Sequence, residues 1–116
     1  MTTINAVFHV DQNDRATFQL ALSNIKNLLS ELGELDVSAE LVANGEGIRL
    51  LLDKDNDLKQ SINDLAAKGV RLLACEKAMK RYEVERPMLL ARVTTIPAGV
   101  VQLVKRQHEG WAYVKP

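Results

Sequence analysis

The single cysteine, Cys75, is the one side chain in these 116 residues whose type and setting point directly to nucleophilic chemistry. It stands where the apolar run Val70-Arg71-Leu72-Leu73-Ala74 gives way to Glu76-Lys77-Ala78-Met79-Lys80-Arg81. The run reads as a strand entered through the turn Lys68-Gly69, and the segment after it as a helix. In a parallel sheet, the carboxyl end of such a strand is the edge where α/β folds collect ligands. A helix beginning at the cysteine would turn unpaired N–H groups and a positive dipole end toward the sulfur, which favours thiolate over thiol. Lys77, Lys80 and Arg81 add positive potential, and Glu76 opposes it. The competing reading is a small buried hydrophobe, the ordinary state of a free cysteine. With no second cysteine, an internal disulfide and dithiol chemistry within one chain are both excluded.

Other residues fall at or just past the ends of expected strands and form a candidate ligand pocket with Cys75: Asp11, Asn44, Gly45, Gly47, Glu76 and Pro97. Asn44-Gly45-Glu46-Gly47 is either a tight turn, which Asn and Gly tolerate, or a pocket wall whose backbone N–H groups face an anion. It lacks the spacing of either phosphate-binding loop. His9, late in the first strand, is a satisfied structural histidine or, if it points to the rim, a base for Cys75. His108 reads as packing or subunit contact. Two histidines and one cysteine are too scattered for a metal site, and no cofactor motif is present. Trp111 and Tyr113 alternate in the last strand and so share one face, as a core anchor or an oligomer contact.

The elements that must position these residues alternate. Ile4 to Val10 is nearly continuous in apolar character, as befits a strand covered on both faces. Asp11, Asn13 and Asp14 are candidate N-caps. Phe18, Ala21, Leu22, Ile25, Leu28, Leu29 and Leu32 then draw one helical stripe, and Gly33 suits the position past its end. Val37 to Ala43 is a second strand, followed by a short helical turn at Ile48, Leu51 and Leu52. A second long helix carries Leu58, Ile62, Leu65 and Ala66. After the Cys75 strand and its helix come an irregular charged stretch, Glu83 to Pro87, and a strand from Val93 to Ile96. Pro97 opens a last helix whose inner face is expected from Val100, Val101, Val104 and His108. Trp111 to Val114 closes the chain as a short strand. This order predicts a three-layer α/β/α sandwich with a mainly parallel sheet of about five strands and helices on both faces.

The totals restrict the partners. Fifteen basic and fifteen acidic residues leave a formal net charge of zero, whereas general nucleic-acid binders carry a basic surplus. Arg71, Lys77, Lys80, Arg81 and Arg86 are interleaved with Glu76, Glu83 and Glu85, the pattern of a solvated face. No apolar run approaches the roughly 20 residues of a membrane span. No signal peptide is evident, so a cytoplasmic location is expected.

Several segments resemble the DsrE/DsrF-like family and its YchN-like fold. They are Val7-Phe8-His9-Val10-Asp11, Leu28-Leu29-Ser30-Glu31-Leu32-Gly33 and Val42-Ala43-Asn44-Gly45-Glu46-Gly47-Ile48-Arg49-Leu50-Leu51. They continue with Leu65-Ala66-Ala67-Lys68-Gly69-Val70, Leu72-Leu73-Ala74-Cys75-Glu76, Ile96-Pro97-Ala98-Gly99-Val100 and the tail Glu109 to Pro116. The resemblance implies one α/β domain over residues 1–116 that assembles into dimers, trimers or hexamers. In the family's sulfur-relay branch, a cysteine after the third strand carries sulfur as a persulfide, and Cys75 falls at that position. The expected function is a persulfide carrier served by a sulfur donor and an acceptor protein. The alternative is a non-catalytic, oligomeric small-ligand-binding or assembly protein. Whether the chain is an enzyme in its own right stays open, as do the donor, the acceptor, any ligand and the oligomer size.

Overall fold

A computed structural model describes residues 3–116, and the expected elements are all present. Five strands, β1 (Ile4–Val10), β2 (Val37–Ala43), β3 (Arg71–Cys75), β4 (Val93–Ile96) and β5 (Ala112–Val114), form one sheet in the order β4-β3-β2-β1-β5. Every pairing is parallel. Four α-helices join them: α1 (Arg15–Leu32), α2 (Lys59–Ala67), α3 (Glu76–Arg81) and α4 (Gly99–His108). A run of 3-10 turns, Gly45–Leu51, leads out of β2. The molecule is an α/β sandwich.

Strand order decides how the helices divide. From β1 to β4 the chain steps one strand at a time, so right-handed crossovers leave α1, α2 and α3 on one face. Their apolar stripes pack there. Phe18, Ile25, Ile62 and Ala78 meet Phe8, Leu41 and Leu72 in the larger core cluster. The link from β4 to β5 runs the other way, from one edge of the sheet to the other, and lays α4 alone on the second face. There Leu103 packs on Val7, Val42 and Leu73, flanked by Ile96 and Trp111.

Local chemistry explains the boundaries. Of the three candidate caps, Asp14 starts α1, its carboxylate accepting from the N–H groups of Ala16 and Thr17 at 3.0 and 3.3 Å. Such a cap satisfies donors that the first helical turn leaves open. Gly47 is packed against β1 so closely that an added Cβ would overlap the Val10 carbonyl oxygen. Any side chain there would force the turn after β2 away from the sheet.

One expectation is overturned. The inner face of α4 is not Val100, Val101, Val104 and His108. Gly99 and Leu103 are buried, Gln102 and Arg106 are half-buried, and the three valines are 49–60% exposed. The reason lies under the helix. Glu40 of β2 is 1% exposed and faces α4. An unpaired carboxylate is very costly to bury, so the helix turns its polar partners inward. Gln102 donates to Glu40 at 2.8 Å, and Arg106 donates at 3.0 and 2.7 Å. Arg71 of β3 adds a fourth bond at 2.8 Å.

Candidate functional site

Register brings the expected site residues to one edge. Val10 pairs with Ala43, Ala43 with Ala74, and Cys75 with Ile96. Asp11, Asn44, Cys75 and Pro97 therefore end or follow four neighbouring parallel strands at their carboxyl ends. Near the middle of this edge lies a cavity of about 320 Å³ lined by Asn44, Gly45, Cys75, Ala98, Gly99 and Val100, with Lys77, Arg81 and Tyr82 at its α3 side.

Cys75 is the last residue of β3 and the N-cap of α3. Its side chain is buried, at 6% exposure, and its Sγ accepts from the backbone N–H of Ala78 at 3.5 Å. Cys75 is thus a nearly buried residue in the wall of the cavity, its sulfur held by one weak donor.

The far wall is the start of α4. A Cβ added to Gly99 would lie 2.8 Å from Asn44 Cβ, 3.3 Å from Val42 Cγ1 and 3.4 Å from Cys75 Cβ. Only glycine lets the helix backbone come this close. The first N–H groups of any helix lack intrahelical partners, and no N-cap side chain takes up those of α4.

Asn44 is oriented from the other direction. His9 Nε2 lies 2.7 Å from Asn44 Oδ1, and His9 Nδ1 lies 2.6 Å from the Tyr113 hydroxyl. An amide oxygen only accepts, so Nε2 donates to Asn44, and Nδ1 shares the second hydrogen bond with the Tyr113 hydroxyl. With Oδ1 committed to His9, the amide's NH₂ is turned the other way. His9 thus engages Tyr113 and Asn44. The bond to Asn44 fixes the orientation of that amide at the cavity wall.

The remaining expected pocket residues are placed elsewhere on the edge. Asp11 pairs with Lys115 at 3.0 Å, and the hydrogen bond from that ammonium holds its carboxyl below the usual range despite partial burial. It lines a separate small depression with His9 and Pro116. Glu76 accepts from Thr95 Oγ1 at 2.8 Å. Gly47 is buried beneath the rim against β1. Pro97 precedes the lining residues Ala98 and Gly99 but does not line the cavity itself. Ala98, Gly99 and Tyr82 were not expected in the site. A glycine two residues after Pro97 was the available signal for close backbone approach, but its neighbours lie in strands far away in sequence. Among the described residues, no three His, Cys, Asp or Glu side chains stand close enough to share a metal ion, and no helix is long and apolar enough to cross a membrane.

A parallel α/β sandwich with one cysteine capping the helix after its third strand defines the class of protein. The chain belongs to the DsrE/DsrF-like family, whose model matches residues 2–116. A solved protein of unknown function from Methanobacterium thermoautotrophicum is 34% identical, with a TM-score of 0.90 over 97% of this chain and 99% of that one. The ychN protein from E. coli shares the fold at 14% identity, with a TM-score of 0.79 over the whole of both chains. A conserved protein of unknown function from Bacteroides thetaiotaomicron shares it at 12% identity, with a TM-score of 0.77 over 97% of this chain and 94% of that one. No curated protein matches the chain.

Proposed function

We propose that this protein carries sulfur as a persulfide on Cys75, in the manner of the sulfur-relay members of its family. The observation that carries the reading is the cavity of about 320 Å³ at the carboxyl edge, with the chain's one thiol in its wall. In the first step the Cys75 thiolate attacks a donor's sulfane sulfur. A new S–S bond forms, and the donor's remainder leaves with the electron pair of the broken bond. In the second step an acceptor thiolate attacks the terminal sulfur and releases the Cys75 thiolate. Both steps are thiol–disulfide exchange in form and need access to the thiolate.

The working unit in this reading is a homo-oligomer. Val100, Val101 and Val104 of α4 are 59%, 49% and 60% exposed and form one stripe beside the cavity mouth. An exposed apolar stripe of this kind is characteristic of an association surface.

The test is direct. Wild type incubated with a sulfane donor should gain one sulfur in intact mass, and a reductant should reverse the gain. Cys75→Ala should show no gain while staying folded, at a cost of about 1–2 kcal/mol for the lost sulfur packing and cap. A second reading, a ligand-binding or assembly protein with Cys75 as pocket wall, draws on the near-complete burial of the sulfur. It predicts no adduct, and ligand affinity unchanged in Cys75→Ala.

A further inference from the structure

We propose that the Cys75 cavity selects small anions, and that the sulfur donor it admits directly is an oxyanion bearing a sulfane sulfur. This rests on the carrier reading and adds the chemistry of the donor. Two cations, Lys77 and Arg81, line the cavity and no carboxylate does. Among the described residues neither cation is in an ion pair. Of the carboxylates next to lining residues in sequence, Glu76 accepts from Thr95 and Glu46 pairs with Arg49 at 3.5 Å, while Glu83 is exposed and does not line the cavity.

The neutral groups agree in sign. The start of α4, which no side chain caps, packs its backbone at Gly99 close against Asn44 and Cys75. His9 takes the carbonyl side of the Asn44 amide and leaves its NH₂ as the free end. Cations, backbone N–H groups and an amide NH₂ around one small cavity make an acceptor-poor site, in a chain whose overall charge is zero. Charge-assisted hydrogen bonds of this kind favour anions.

With thiosulfate the step balances. Cys75 gives its proton to buffer, and the thiolate attacks the outer sulfur. The S–S bond of thiosulfate breaks, and sulfite leaves with the electron pair. Cys75 is left as a persulfide.

Two probes separate this proposal from the carrier reading. Iodoacetate and iodoacetamide present the same electrophilic carbon and differ in charge. The ratio of their alkylation rates at Cys75 should exceed that of a small neutral thiol several-fold. It should fall to the small-thiol value in a Lys77→Ala/Arg81→Ala variant. In wild type it should fall likewise near 1 M salt, where the screening length is about 3 Å. Sulfite release from thiosulfate, with gain of one sulfur, should slow roughly tenfold or more in the same variant. Both cations are exposed, and thermal unfolding checks that the variant is folded. A rate ratio equal to that of the small thiol, or one unmoved by both salt and the double substitution, overturns the proposal. If sulfur is then still gained from polysulfide, the carrier reading survives alone. An anion preference with no sulfur gained from any donor overturns the carrier reading and the donor assignment together.

Discussion

Glu40 holds α4 on the sheet through four hydrogen bonds from Arg71, Gln102 and Arg106. Burial alone would raise its pKa. The hydrogen bonds from Arg106 and Gln102 and the charges of Arg106 and Arg71 outweigh that and hold it below the usual 4.5. A carboxylate depressed in the folded state stabilises the fold fully above its unfolded pKa. That contribution is lost as pH falls from about 4.5 through the folded value. Glu40→Gln should therefore cost about 2 kcal/mol or more at pH 7, because it leaves two guanidinium groups without their anion. The gap between variant and wild type should narrow steadily below about pH 4.5. Urea unfolding at about pH 7 and pH 3 measures both, and a gap of the same size at the two pH values would contradict the assignment.

The last helix is where element-level reading and structure part. Val100, Val101 and Val104 recur at helical spacing, and so do Gly99, Gln102, Leu103 and Arg106; period alone cannot choose between two stripes on one helix. The choice was made by Glu40, whose partners lie 31, 62 and 66 residues away along the chain. Spacing within one element carries no trace of such a pairing. Where a stripe had no rival, as in α1, most inward residues were legible: Phe18, Ala21, Leu22, Ile25 and Leu29 are buried, whereas Leu28 is only partly buried and Leu32, in the last turn, is 45% exposed. The same holds for the site. Cys75 and Asn44 stood out because each ends a strand, whereas Gly99 matters only through neighbours that the sheet brings to it. If the turned-out valines serve association, Val104→Glu should leave the fold intact within about 0.5 kcal/mol, as surface changes do. Its light-scattering mass should drop relative to wild type. A wild type near 12.9 kDa at micromolar concentration would remove this role for α4.

At the scale of the whole molecule, the sheet order puts the last strand beside the first. β5 covers one edge of β1 with only three residues, and an apolar groove lined by Ile4, Phe8, Leu28, Leu32 and Val114 runs along that border. Deleting residues 111–116 would strip the edge of β1 and take away the Tyr113 hydroxyl. The truncated chain should lose solubility, because an uncovered edge pairs with other chains. Tyr113→Phe keeps the strand and should stay soluble, losing about 1 kcal/mol with its bond to His9. Turbidity and chemical denaturation distinguish the two, and a truncated protein as soluble as wild type would show that β5 protects nothing. The bond from Tyr113 to His9 also spans 104 residues of chain. Closing a loop of that length costs about 2 kcal/mol more than closing one of ten residues, and contacts so far apart in sequence tend to form late. The β1–β2–β3 unit with α1 to α3 can assemble earlier, and in it Cys75 still lacks its α4 wall. If α4 docks last, the thiol lies open to stray oxidants until that helix closes the wall beside it.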